Sequence, residues 1–264
     1  MDTLQAIILG IVQGLTEFLP VSSSGHLQIA KELLGVELTD NISFDVALHA
    51  ATVLSTMVVM RREIGQLFGG LFARPVTEAQ RYVLKIVVSM IPAAVVGVCF
   101  SDTIETLFSS LPFVGCMLLL TAALLTFAYC ARPREKGDIS FRDAFLIGCA
   151  QAAATMPGLS RSGSTIATGL LLGNRRESVA RFSFLMVIPV ILGKMLLDIL
   201  SGDMTAAEVD AVPLAAGFAA AFAVGALACR FMLGIVQRGK LIWFALYCAA
   251  AGLVSLLGPA LLNR

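Results

Sequence analysis

Charge is what this chain of 264 residues has least of, since only 14% of it is Asp, Glu, Lys or Arg, against about 25% in an ordinary soluble domain. With mean hydropathy at +0.87, so little charge excludes a water-soluble globule and makes lipid the main solvent. The charges present nearly cancel, to +1, and no basic block stands apart from the ends of apolar segments, which argues against a nucleic-acid partner. Six cysteines (Cys99, Cys116, Cys130, Cys149, Cys229, Cys248) show no C-x-x-C spacing, so neither a disulfide framework nor a thiolate metal site is indicated. Scattered through apolar stretches, they read as packing residues. The first residues, MDTLQ, lack a basic n-region, and no Ala-x-Ala signal precedes Glu17, so no removable signal peptide is expected.

What the chain has instead is long apolar segments. A spanning helix needs about 20 mostly apolar residues, and runs of about 10 to 14 mark re-entrant or interfacial segments. Six stretches read as full spans, near residues 42–60, 83–101, 112–131, 180–200, 211–230 and 241–262. Residues 3–35 and 142–173 differ: each is an apolar run broken near its middle by Pro, Ser, Gly and a charge. These two read as helix, loop, helix.

Sliding the second broken run over the first by 138 residues, without a gap, pairs Ala6 with Ala144, Gly10 with Gly148, Gln13 with Gln151 and Ser22 with Ser160. The register continues through Ser24 with Ser162, Gly25 with Gly163, and Leu33, Leu34 and Gly35 with Leu171, Leu172 and Gly173. A tandem duplication follows, within one membrane domain covering 1–264: repeat 1 over 1–131, repeat 2 over 139–264, and a linker over 132–138. Each half holds one broken pair and three spans, and an odd number of crossings starts the second half from the opposite membrane face. The fold class expected is an all-α integral membrane protein, an inverted-topology repeat with six transmembrane helices and two re-entrant helix-loop-helix hairpins.

Loop charges agree, because cytoplasmic loops are enriched in Lys and Arg. Loop 61–82 carries Arg61, Arg62, Arg74 and Arg81, and loop 132–142 carries Arg132, Arg134, Lys136 and Arg142. Arg175, Arg176 and Arg181 flank another turn, and Arg238 and Lys240 a further one. Loops 102–111 and 201–210 instead carry Asp102, Glu105, Asp203, Glu208 and Asp210 with no base. Both termini are then expected outside. The first broken pair enters from that face and the second from the cytoplasm, so their tips meet near the midplane. Irregular backbone at that depth is tolerated only where protein or a wet cavity satisfies it, and opposed broken helices around a midplane site recur in inverted-repeat transporters.

The first break, PVSSSGH (20–26), follows Gln13 and Glu17, which are four apart and share a helical face. The second, PGLSRSGST (157–165), sets Ser160, Arg161, Ser162 and Thr165 at the start of a helix. That combination suits an anion. Free N–H groups at a helix N-terminus bind phosphate, Gly lets the backbone approach closely, Arg offers a planar fork, and the hydroxyls, including Ser22, add donors. Placing Glu17 or Arg161 mid-membrane costs at least about 2.5 to 3.5 kcal/mol, so each needs a partner and a purpose. Mutual pairing would explain both charges without a ligand, but not the serine cluster or His26. One of Ser22 to Ser24 is expected to cap the following helix. His26, which ordinary core packing could also explain, is read as a catalytic candidate. His49, one turn after Asp45, reads as a structural polar pair with it or else as a lining residue of the same cavity, and Lys194 with Asp198 reads as another structural pair.

The blocks Q-G-L-T-E-F-L-P-V-S-S-S-G-H-L (13–27) and P-G-L-S-R-S-G-S-T (157–165) resemble the bacterial undecaprenyl-pyrophosphate phosphatases, also called bacitracin-resistance proteins. The resemblance spans essentially the whole chain, and the family's (E/Q)xxxE and PGxSRSxxT patterns are complete. It implies an inner-membrane hydrolase that converts undecaprenyl pyrophosphate to undecaprenyl phosphate, recycling the lipid carrier of peptidoglycan and conferring bacitracin resistance. It also implies a divalent cation, Mg2+ or Ca2+, and a homodimer. Carried over by residue, the glutamate motif falls on Gln13 and Glu17, the loop serine and histidine on Ser23 and His26, and the phosphate-binding block on Ser160, Arg161, Ser162 and Thr165. Gln13 stands where members with Glu have a second carboxylate for a metal or proton.

In that reading Arg161 and the loop N–H groups hold the diphosphate, while Glu17, alone or through a metal, activates the nucleophile. The attacking atom could be His26, Ser23 or a water served by His26. A phosphatidic-acid-phosphatase site would need a second histidine after its Ser-Arg, whereas His26 and His49 both precede Arg161. A polyprenyl-phosphate transporter is the alternative from another class, and the two roles can coexist.

Overall fold

The computed structural model describes residues 1–36, 42–100, 111–131, 136–200 and 210–262. Its helices are α1 (Thr3–Phe18), α2 (Ser23–Leu34), α3 (Ile42–Val59), α4 (Arg61–Leu71), α5 (Glu78–Cys99), α6 (Leu111–Cys130), α7 (Phe141–Ala153), α8 (Arg161–Leu171), α9 (Arg176–Leu200), α10 (Ala211–Arg238) and α11 (Ile242–Leu262). The acidic residues Asp102, Glu105, Asp203 and Glu208, the bases Arg132 and Arg134, and the side chain of Asp198 lie outside the described residues.

Four helices are long and apolar enough to cross a bilayer, namely α5, α6 over Pro112–Cys130, α9 over Arg176–Leu197, and α10. A fifth crossing results if α3 and α4, bent by 77° at their junction, form one broken span. The stretch Ile242–Leu257 of α11, and α1, are shorter apolar helices, so four or five described helices meet the standard that six stretches were expected to meet. The surface is dressed for lipid. On α5, Leu84, Val87, Ile91, Val95 and Val98 form an exposed stripe at helical spacing, while Ser89 and Ala93 on the other face are buried, the reverse of a soluble helix. The protein is an all-α, multi-pass membrane protein.

The two interrupted runs break where expected, for local reasons that match. Helix α1 ends at Leu19, whose φ −68° and ψ 140° are extended backbone, as the residue before Pro20 must be. Helix α2 starts from Ser22, whose side chain accepts from Gly25 N–H, and α8 starts from Ser160, whose side chain accepts from Gly163 N–H. Ser22 with Ser160, and Gly25 with Gly163, are pairs in the gapless alignment of the two runs. Two other expectations fail. Part of the stretch read as loop 61–82 is helical, because Arg61, Arg62 and Glu63 cannot follow α3 through the lipid and α4 turns away with no buried residue. The cysteines also divide: Cys229 and Cys248 are buried, but Cys99, Cys116, Cys130 and Cys149 are exposed rather than packed inside.

Packing between the halves is reciprocal. Helix α1 lies along α10, and α7 lies along α5. A Cβ on Gly10 would stand 2.3 Å from the Gly217 oxygen, and one on Gly148 would stand 2.3 Å from the Ser89 oxygen. Only glycine permits either approach, and these two glycines are themselves an aligned pair. Helices α6 and α11 cross at Gly115 and Gly252, where a Cβ on each would meet the other's oxygen at 2.9 and 2.8 Å. Helices α3 and α9 close the interior with Val53, Val187 and Ile191.

Candidate active site

Each loop is held by the last described helix of the other half. Loop 154–160 rests on α6: Ser160 N–H donates to Thr121 Oγ1 at 3.0 Å. Gly158, at φ +89°, leaves room for nothing beyond hydrogen, since a Cβ would stand 2.5 Å from the Val114 oxygen. Loop 19–22 rests on α11, where the Cys248 thiol donates to the Pro20 oxygen at 3.3 Å. The loops also touch each other. A Cβ on Gly25 would lie 3.7 Å from Gly158 Cα, and Ser162 Oγ donates to the Leu19 oxygen at 3.2 Å.

Glu17 is the junction. Its side chain is 4% exposed, and each of its oxygens is engaged. Oε2 accepts from Gln13 Nε2 at 2.9 Å and from the Ser23 hydroxyl at 2.8 Å. Oε1 accepts from Arg161 Nη2. The cavity around this pair is lined on its polar side by Glu17, Arg161, Ser162 and Thr165, and on its apolar side by Phe184 and Val187. The expected residues Gln13, Glu17, Ser23, Arg161, Ser162 and Thr165 therefore come together. Ser22 and Ser160 lie beside them as caps, their hydroxyl oxygens accepting from Gly25 and Gly163 N–H. Thr165 Oγ1 donates to the oxygens of Arg161 and Ser162, at 3.0 and 3.3 Å.

His26 sits elsewhere than beside the carboxylate. Its Nδ1 faces the Ser22 oxygen at 2.8 Å, and its Nε2 faces the Tyr247 hydroxyl at 2.6 Å. The reading of His49 as paired with Asp45 is corrected too. The Asp45 carboxylate takes buried Lys31 at 2.6 Å. His49 Nδ1 uses only the Asp45 backbone oxygen, at 2.8 Å, which leaves His49 Nε2 3.9 Å from Glu17 Oε2. Sequence reasoning passed over three residues here: Tyr247, Lys31 and Ser183. The Ser183 hydroxyl lines the Glu17 cavity and is buried without a hydrogen-bond partner among the described residues.

For a divalent cation the fit is good in one respect. Gln13 Oε1 is buried and has no partner among the described residues, an acceptor aligned on the same helical face as the Glu17 carboxylate. Three or more His, Cys, Asp or Glu in metal-binding proximity do not occur among the described residues. That donor set suits Mg2+, which is held by one or two protein oxygens together with waters and substrate phosphates, better than a caged zinc.

This is a helical membrane protein in which a buried carboxylate, a hydroxyl and a guanidinium meet where two N-capped helices begin. Residues 6–254 match the family described as bacitracin resistance protein BacA, and the chain belongs to that family. It is 58% identical over 260 residues to the undecaprenyl-diphosphatase of Parabacteroides distasonis, covering 97% of this chain and 98% of that relative. The undecaprenyl-diphosphatase of Bacteroides fragilis is 55% identical over the same shares. That of Bacteroides thetaiotaomicron is 56% identical, over 96% of this chain and 97% of the relative.

Proposed function

We propose that this chain hydrolyses undecaprenyl diphosphate to undecaprenyl phosphate and inorganic phosphate, recycling the lipid carrier for peptidoglycan synthesis and conferring bacitracin resistance. The observation that carries the reading is Glu17 held between Ser23 and Arg161. A guanidinium fork donates to carboxylate and phosphate oxygens in the same geometry, so Glu17 occupies on Arg161 the place of a phosphoryl group. The terminal phosphate displaces it there, with the N–H groups of the first turn of α8 and the hydroxyls of Ser162 and Thr165 around it. Released from Arg161, Glu17 keeps its contact with Ser23 and takes the hydroxyl proton as Ser23 Oγ attacks the terminal phosphorus. Undecaprenyl phosphate leaves, and water frees the phosphate from Ser23. His26 serves as the proton carrier nearer the surface. Phosphoryl transfer is mostly positioning and charge neutralisation, which is what these loops supply. A divalent cation, held by Gln13 Oε1 and Glu17, adds charge neutralisation on the phosphoryl oxygens when bound.

The same reading takes the chain as an inverted repeat of 1–131 and 139–264 with six crossings and both termini on the outer face of the inner membrane. The reciprocal packing of α1 on α10 and α7 on α5 and the alternation of loop charge support it. That architecture also favours transport of the polyprenyl phosphate as a second activity. Purified protein in detergent tests hydrolysis by itself, because a pure carrier has no second leaflet there and releases no phosphate. Release is expected for the wild type and is abolished in Glu17→Ala and Arg161→Ala. Near-normal turnover in either variant would sink the scheme.

A further inference from the structure

His26 stands in the first turn of α2, with Nδ1 2.8 Å from the Ser22 backbone oxygen. A carbonyl oxygen only accepts, so Nδ1 carries the hydrogen. In the neutral ring that leaves the lone pair on Nε2, which lies 2.6 Å from the Tyr247 hydroxyl. The phenol is then the donor. The two rings also stack, with centroids 5.5 Å apart and planes 22° from parallel. A half-turn of the imidazole would break both hydrogen bonds, so the ring is held at its two ends, on one side by its own helix start and on the other by a residue 221 positions away in sequence. The helix that brings Tyr247 is itself fixed to the first loop, since Cys248 bonds the Pro20 oxygen.

From this geometry we infer that Tyr247 is a positioning residue for the reaction: it holds His26 in the Nδ1–H tautomer and keeps Nε2 as the proton-accepting nitrogen. The inference rests on the hydrolase reading above and deepens it. Nε2 is the one ring nitrogen left for proton exchange with substrate or water, and it exchanges through, or in place of, the Tyr247 hydroxyl. The second half of the chain thus orients an imidazole carried by the first, as a neighbouring group commonly fixes which histidine nitrogen reacts. Plain ring packing is the rival account. Tyr247 is 49% exposed, so removing one oxygen from it spares the fold.

Tyr247→Phe separates the two accounts, because it keeps the stacked ring and removes the donor. If Tyr247 positions His26, kcat for phosphate release falls about tenfold, the worth of one hydrogen bond, with KM within about twofold of wild type. Nitrogen NMR of histidine-labelled protein in detergent micelles gives the second readout, with His26 signals assigned by their loss in His26→Gln. Wild type should show Nδ1 protonated and Nε2 as a hydrogen-bonded acceptor. In Tyr247→Phe the Nε2 signal should move to that of a free lone pair. An unchanged Nε2 signal, a wild-type ring protonated on Nε2, or an unchanged kcat overturns the proposal. So does a raised KM with kcat preserved, which would make the phenol a substrate contact. Should the wild type release no phosphate, the hydrolase reading fails, while the nitrogen signals still decide whether Tyr247 sets the tautomer.

Discussion

Arg161→Met removes the guanidinium and strands Glu17, whose side chain is 4% exposed, with a charge that no longer faces its cation. Breaking one side of a buried pair costs about 3 to 5 kcal/mol. Gln13 and Ser23 still donate to the carboxylate, which places this case at the low end, about 3 kcal/mol. Glu17→Leu strands Arg161 instead. That side chain is 23% exposed and keeps part of its hydration, so the loss is smaller, about 2 kcal/mol. The double variant Glu17→Leu/Arg161→Met strands neither and should return to within about 1 kcal/mol of wild type, since replacing a whole buried pair by apolar groups is near neutral. Denaturant unfolding in one detergent measures the three stabilities, and phosphate release measures the three activities. Activity should fall at least about 100-fold in all of them, the double included. A double variant as unstable as the sum of the singles would show that the pair is not one coupled unit. A double variant that still turns over would show that the pair only pins the loops together.

Three further variants test the remaining contacts. Gly10→Ala and Gly148→Ala each drive a Cβ to 2.3 Å from a backbone oxygen of the crossing helix, so each should cost about 1 to 3 kcal/mol in the same unfolding assay, with similar losses because the contacts are counterparts. Gln13→Glu supplies a second carboxylate beside Glu17, and the Mg2+ concentration for half-maximal phosphate release after chelation should fall about tenfold as ligand charge rises; an unchanged titration would remove Gln13 from the cation site.

Both broken runs were legible because their interruption is chemical. Pro20 with three serines, and Pro157 with Gly158, cannot continue an apolar helix, and the gapless offset between them exposes Gly10 with Gly148 as a pair before any contact is known. Helix α4 was not legible, because a charged, amphipathic stretch gives no apolar run and looks like loop until the 77° bend is seen. Within the site, Gln13, Glu17 and Ser23 could be grouped from spacing alone, since four residues on a helix and a following cap are local geometry. Tyr247 could not. One tyrosine in an apolar span has no distinguishing neighbour in sequence, and its role depends on α11 packing across the molecule. The Lys31 pairing with Asp45 was hidden for the same reason: the partners lie on different helices, whereas His49, four residues from Asp45, offered the nearer match.

The proposed duplication would also explain how one carboxylate came to govern the site. Ser23 and Arg161 are aligned positions, each the first residue of its helix after the capping serine. Both donate to Glu17, the one to Oε2 and the other to Oε1. Glu17 thus sits where the two loops converge, and the residue aligned with it, Thr155, turns away to bond the Ala152 oxygen at 2.7 Å. Two acids at that convergence would have repelled each other inside the membrane, and two threonines would have left Arg161 buried without a partner. In the proposed mechanism, the asymmetry of Glu17 against Thr155, and of Ser23 against Arg161, makes one of two like loops a base with its nucleophile and the other an anion cradle, and neither half contains both.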